Sequence, residues 1–120
     1  MLTLVHIIGQ ILFGGFFIYQ AINHFSKSQD LTAYATSMKV PAPKVAVWGS
    51  GILLFLGGVG VLFNFYTLIA LILLAIFLIG VTFTMHAFWN MKDPGIKAFN
   101  SIQFWKNLAL LGAVLLLMQW

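Results

Sequence analysis

Four apolar blocks, each about as long as a helix that crosses a bilayer, fill this 120-residue chain almost end to end. They cover residues 4–25, 45–64, 67–88 and 102–120. Because roughly 20 apolar residues of α-helix cross a hydrocarbon layer of about 30 Å, each block is long enough to span a membrane. The pattern predicts an all-α membrane protein, an antiparallel four-transmembrane-helix bundle that occupies residues 1–120 as a single domain.

The composition excludes several classes of protein. Charged residues make up 7% of the chain and hydrophobic ones 62%, whereas about a quarter of a soluble domain is charged. The absence of cysteine excludes a disulfide, a thiolate metal site and an iron–sulfur cluster. Six Lys stand against two Asp with no Arg and no basic run, so we expect membrane lipid as a partner and no nucleic acid.

The charged side chains predict the orientation in the membrane. All of them lie in the first and third connections, residues 26–44 and 89–101, or at the edge of a block. The positive-inside rule makes this side cytoplasmic and places both termini and the turn at residues 64–66 outside. The first connection has apolar residues at helical spacing, which predicts a short interfacial helix after helix one. They are Leu31, Tyr34, Ala35 and Met38.

Helix one carries a polar stripe, whose members recur at steps of three and four residues together with two Phe. The polar members are His6, Gln10, Gln20 and His24. A polar group that faces lipid costs roughly one to several kcal/mol, so we expect the stripe to face protein along its length. Two uses stay open: hydrogen bonds between helices, and the lining of a cavity or proton path.

At the charged end, polar residues from three helix ends converge, and they form a candidate ligand-binding set. Its members are Asn23, His24, Tyr34, His86, Trp89, Lys106 and Asn107. A quinone ring needs donors for two carbonyl oxygens, a group that titrates near neutrality and aromatic walls. The alternative is that His and Lys at helix ends only reach the lipid headgroups. No catalytic residue can be assigned.

Haem, metal and hydrolytic sites are not expected. Haem ligated by two His normally lies deeper in the bilayer than His24 and His86, which are near one surface. Three His and two Asp in the connections make no metal constellation. The spans also contain no Ser-His-Asp set.

Several short pieces, in order and spacing, resemble the DoxX family of small four-helix integral membrane proteins. They are Phe16-Phe17 with Ala21-Ile22-Asn23-His24-Phe25, Val40-Pro41-Ala42-Pro43, Gly57-Gly58-Val59-Gly60, His86-Ala87-Phe88-Trp89 and Phe104-Trp105-Lys106-Asn107-Leu108-Ala109-Leu110-Leu111-Gly112. The last piece, with Lys-Asn at the start of helix four, is the most specific.

The resemblance implies a membrane subunit in a bacterial or archaeal cell membrane that binds quinone and couples to a separate redox partner protein. The family is named for such a subunit of a thiosulfate:quinone oxidoreductase. If the chain takes part in catalysis, it would do so as a subunit of a quinone-linked oxidoreductase, with no covalently bound cofactor. The alternative is a non-enzymatic scaffold or assembly factor for a client protein. The electron donor and the oligomeric state, a homo-oligomer included, stay open.

Overall fold

The computed structural model describes residues 2–118, and all of their regular secondary structure is helical. The predicted fourth span extends to residue 120, so its last two residues lie outside the described part. The elements are α1 (Leu2–Ser26), α2 (Ser28–Ser37), α3 (Pro43–Leu62), α4 (Thr67–Thr84), a 3₁₀ turn (Phe88–Asn90) and α5 (Pro94–Leu117).

Within the described residues, three helices are long and apolar enough to cross a membrane: Thr3–Ser26, Pro43–Leu62 and Thr67–Asn90. The all-helical prediction is thus confirmed together with three candidate spans. The helix α5 is not one of the three, because its first half carries Lys and several amide side chains that lower its mean hydropathy. A four-span bundle stays a prediction.

The helix α5 begins at Pro94 rather than at the predicted residue 102. Its start is set by Asp93, whose Oδ1 accepts hydrogen bonds from the backbone N–H of Gly95 at 2.8 Å and of Ile96 at 3.3 Å. Proline at the first helical position suits this cap, because its missing N–H would have no helical partner there. The predicted start at residue 102 was late because the prediction followed only the apolar part of this helix.

The helix α4 ends at Thr84 rather than at the predicted residue 88. The Met85 carbonyl, which would accept a bond from the next turn of a longer helix, lies 3.1 Å from the Tyr34 hydroxyl instead. The Thr84 hydroxyl bonds back to the Gly80 carbonyl at 2.6 Å, an interaction that often bends helices. At the end of α4, a hydrogen bond from α2 therefore stands in place of the next helical hydrogen bond.

Each long helix packs against the next one along the chain. The backbones of α1 and α3 come together at Gly14 and Gly58, where an added Cβ would lie about 3 Å from backbone atoms of the other helix. The α3–α4 pair has similar close approaches at Gly57 and Gly60. Aromatic rings hold α4 to α5, with the Phe83 and Phe104 centroids 5.5 Å apart.

One apolar core joins the four long helices, and each contributes a fully buried side chain. These are Phe17 from α1, Leu54 from α3, Leu74 from α4 and Val114 from α5. Even so, no described Cα atom of α1 lies within 8 Å of one of α5. These two helices meet only through side chains.

Candidate functional site

A cavity of about 710 Å³ lies between the helices at the charged end of the molecule, and we call it the main cavity. All five α-helices contribute to its walls. Its size falls within the range of small-molecule sites, roughly 300–1,000 Å³. The walls are mostly apolar and include the rings of Phe16, Phe77 and Phe99. This combination of apolar walls and a few polar groups is typical of a ligand site.

Five of the seven predicted ligand-binding residues line the main cavity. They are His24, Tyr34, His86, Lys106 and Asn107. The other two, Asn23 and Trp89, do not line it. Asn23 precedes His24 on α1, so it lies about 100° away around the helix and is not part of the wall. Trp89 is half exposed and packs on the Phe104 ring, at 5.4 Å between centroids, outside the cavity.

The polar stripe of helix one divides between the two expected uses. The Gln10 side-chain amide donates to the Val61 carbonyl of α3 at 3.1 Å, which is a bond between helices. Gln20, nearer the charged end of α1, lines the main cavity instead. His6 is exposed, so the stripe does not face protein along its whole length. The reason is that Gln10 already lies opposite the last turn of α3, and α1 extends beyond it.

His86 is held by a buried amide that the sequence reasoning missed. The His86 Nδ1 atom lies 2.8 Å from Oδ1 of Asn100, a residue of α5 that is only 3% exposed. The Asn100 Nδ2 atom donates to the Ile96 carbonyl at 3.0 Å, which identifies Oδ1 as the acceptor. Nδ1 must therefore carry the proton, and in neutral His86 the Nε2 atom is left to accept one.

Tyr34 joins the same cluster from α2. Its hydroxyl lies 3.3 Å from Asn100 Oδ1 as well as 3.1 Å from the Met85 carbonyl. The Asn100 amide oxygen is thus the acceptor for a side chain of α2 and for one in the turn that follows α4. The sequence did contain a signal for Asn100, because Asn100, Gln103 and Asn107 recur at steps of three and four on one face of α5. The predicted start of this helix at residue 102 concealed it.

His24 has the same arrangement as His86. Its Nδ1 atom lies 3.0 Å from the Gln20 carbonyl oxygen, which can only accept, so Nδ1 donates and Nε2 is the free acceptor. The ring stands edge-on to Phe77, with 5.8 Å between the centroids. Each histidine therefore has one nitrogen fixed by the protein and the other left for a ligand.

Lys106 and Asn107 bring polar groups from α5. The Lys106 ammonium donates to Gln103 Oε1 at 2.7 Å and lies 5.9 Å from the centre of the Phe16 ring. Neither Asp of the chain lines the main cavity with it. Within residues 2–118, no three His, Asp or Glu side chains come close enough together to hold a metal ion.

The family model for DoxX matches residues 6–87, from the first turns of α1 to just past the end of α4. The chain belongs to the DoxX family. It is also 36% identical over 83 residues to the inner membrane protein YphA of Escherichia coli (strain K12). The alignment covers 69% of this chain and 48% of that relative, so the chain spans about half of the relative's length. No solved structure gives a significant match.

Family membership and the apolar helices together make this an integral membrane protein. The match includes His24, Tyr34 and His86, and it ends before α5, which carries Lys106 and Asn107.

Proposed function

We propose that this DoxX-family protein binds a quinone headgroup in the main cavity and exchanges electrons with a separate redox protein. The observation that carries the proposal is the cavity itself. Apolar and aromatic walls surround a space into which α1, the turn after α4, and α5 each bring a hydrogen-bonding side chain. A quinone is a flat apolar ring with two carbonyl oxygens, and these walls and donors fit both parts of it.

In this proposal α5 is the fourth membrane span. Its 24 residues extend for about 36 Å at 1.5 Å per residue, enough for a hydrocarbon layer of about 30 Å. Asn100 and Asn107 are buried within the protein, whereas Ile102, Trp105 and Leu116 are exposed. Two of the amides that lower its mean hydropathy therefore face the bundle, and the exposed Lys97 lies in the first turn, at the charged end. The charged end would be cytoplasmic, with both termini outside.

The α5 side chains would bind the ring. The Lys106 ammonium donates a charge-assisted hydrogen bond, which is stronger than a neutral one. The Asn107 amide can donate or accept, so it suits both a carbonyl and a hydroxyl. Because neither Asp lines the main cavity, the charge of Lys106 is available there to an electron-rich oxygen.

The two histidines would hold and move protons. Reduction of a quinone to a quinol consumes two electrons and two protons. In each neutral histidine, Nε2 is the nitrogen that can take up a proton and later release it, because the protein fixes the proton on Nδ1. Asn100 acts as a positioning residue for His86. The electrons would come from the partner protein.

Quinone binding by the purified protein tests the proposal. Dissociation constants for decylubiquinone and a short-tailed menaquinone can be measured in detergent by quenching of tryptophan fluorescence. We expect Lys106→Ala and His86→Ala each to weaken binding at least about tenfold, equal to 1.4 kcal/mol. Matched controls are Lys97→Ala and His6→Ala, whose side chains are exposed and outside the main cavity.

The contrary result would be unchanged binding in both cavity variants, or no binding by the wild-type protein. The second candidate function is a scaffold or assembly factor. One contact favours it: the Gln10 side-chain amide forms a hydrogen bond to the backbone of α3 and so serves helix packing. A protein that binds no quinone and still captures a defined membrane partner would support that function instead.

A further inference from the structure

A second cavity forms a groove on the outside of the molecule between α1 and α5, and we call it the α1/α5 groove. Its volume is about 450 Å³. Apolar residues line it except at one end, where Lys106 lies. The lining residues are Gly9, Leu12, Phe13, Phe16, Lys106 and Leu110. None of the histidines and amides of the main cavity reaches it.

The groove adjoins the main cavity. Phe16, Lys106 and Leu110 line both spaces. Because no described Cα atom of α1 lies within 8 Å of one of α5, only side chains stand between the main cavity and the outside of the molecule at this place. In a membrane protein, this outside surface faces lipid.

We infer that the α1/α5 groove holds the hydrocarbon tail of a membrane quinone whose ring lies in the main cavity. The ligand then enters sideways from the bilayer between α1 and α5. This inference rests on the proposed function, since it extends the same ligand beyond its ring. It defines the substrate class as lipid-soluble, tailed quinones rather than small quinones from water.

Lys106 stands where such a ligand changes from polar to apolar. Its ammonium bonds Gln103, which lines the main cavity and not the groove. Its aliphatic stem is long enough to line the groove while the charge stays at the polar end. Phe16 contributes to both spaces beside it.

The direction of the groove also suits a tail. It extends along α1 from Phe16 back to Gly9, about 10 Å at 1.5 Å per residue. This direction leads away from the charged end and across the middle of the predicted span at residues 4–25. Leu12 is 69% exposed, so the groove is open along its side, as a chain that exchanges with lipid requires.

Two quinones with the same ring, one tailless and one tailed, test the inference in the purified wild-type protein and in two double variants. The probe pairs are the tailless ubiquinone ring with decylubiquinone, and menadione with a short-tailed menaquinone. The double variant Gly9→Leu/Leu12→Trp fills the groove. The matched control Gly15→Leu/Ile11→Trp places the same side chains on another part of α1. A Cβ at Gly9 or Gly15 meets nothing within 4 Å, so both variants should fold.

The measured quantity is the ratio of the two dissociation constants, tailless over tailed, which is compared between variants so that partition into detergent cancels. We expect the groove variant to lower this ratio at least about tenfold (1.4 kcal/mol) without changing the affinity for the tailless ring. The control variant should match the wild-type protein.

Two results would overturn the inference, and they differ in what else they affect. If the tailless ring binds and the ratio is the same in all three proteins, the tail lies elsewhere, and the headgroup site stands. If the wild-type protein binds neither member of either pair, the proposed function fails together with the inference.

Discussion

Gly14 is the position where a single methyl group should disturb the molecule most clearly. An added Cβ at this residue would lie 2.9 Å from the Gly58 carbonyl oxygen and 2.9 Å from the Leu62 nitrogen. Both atoms belong to the backbone of α3 and cannot move aside as a flexible side chain would. We predict that Gly14→Ala pushes α1 away from α3 and destabilises the protein.

The size of the effect follows from these distances. Carbon contacts are most favourable at about 3.5–4.0 Å, so α1 must retreat by about half an ångström or more, which forfeits a quarter to a half of the dispersion energy of each contact. Overpacking of this kind costs about 1–3 kcal/mol. The higher helix propensity of Ala opposes this cost by up to about 1 kcal/mol in water. Helices that persist in dodecyl sulfate reduce this gain, because the propensity then counts in both the folded and the denatured state.

Titration of the purified protein with sodium dodecyl sulfate, followed by circular dichroism, gives the free energy of unfolding. The matched control is Gly15→Ala, because a Cβ at Gly15 meets nothing within 4 Å. We expect that control to lie within about 0.5 kcal/mol of the wild-type protein. If Gly14→Ala and Gly15→Ala prove equally stable, α1 and α3 do not approach as closely as described, and the reasoning is refuted.

Three further predictions concern the stripe, the amide cluster and the topology. Gln10→Leu should lower the free energy of unfolding by about 0.5–2 kcal/mol, since interhelical hydrogen bonds in membranes are modest; no loss would mean that its bond to α3 is not formed. Asn100→Leu should cost about 1–3 kcal/mol, because it removes the acceptor of the half-buried His86 N–H. A double-mutant cycle with Tyr34→Phe should show a coupling of at least about 0.5 kcal/mol, and additive losses would contradict the contact. Because the chain has no cysteine, a membrane-impermeant maleimide on intact cells should label Asn64→Cys and not Lys97→Cys; the opposite pattern would show an inverted topology.

The sequence was sufficient for the features that depend on apolar length and local turn chemistry. The turn predicted at residues 64–66 lies between α3, which ends at Leu62, and α4, which begins at Thr67. Asn64 and Tyr66 have positive φ there, 55° and 48°. The short helix in the first connection was also visible, and its predicted face carries Ala35, which is buried.

Features that depend on contacts between distant residues could not be predicted in this way. The end of α4 is set by a hydroxyl from α2, 51 residues earlier in the chain. Asn100 becomes important only because Tyr34 and His86 converge on it in three dimensions. His24, His86 and Lys106 could be named in advance because each is a polar residue at the edge of an apolar run. Their grouping around one space required the packing of the helices.

The main cavity and the α1/α5 groove have a common physical cause in the way small and large side chains are distributed over the helix pairs. At Gly14 and Gly58 the missing side chains let α1 come close to α3, and this draws α1 to one side of the bundle. On the other side, Phe83 and Phe104 hold α5 against α4 through an edge-to-face contact.

The remaining pair, α1 and α5, has no close backbone approach of the kind seen at Gly14, since no described Cα atoms of the two helices lie within 8 Å. Its facing residues Phe16 and Lys106 are long, and their tips meet across the gap at 5.9 Å. A helix bundle held tightly at three interfaces must leave its free space at the fourth.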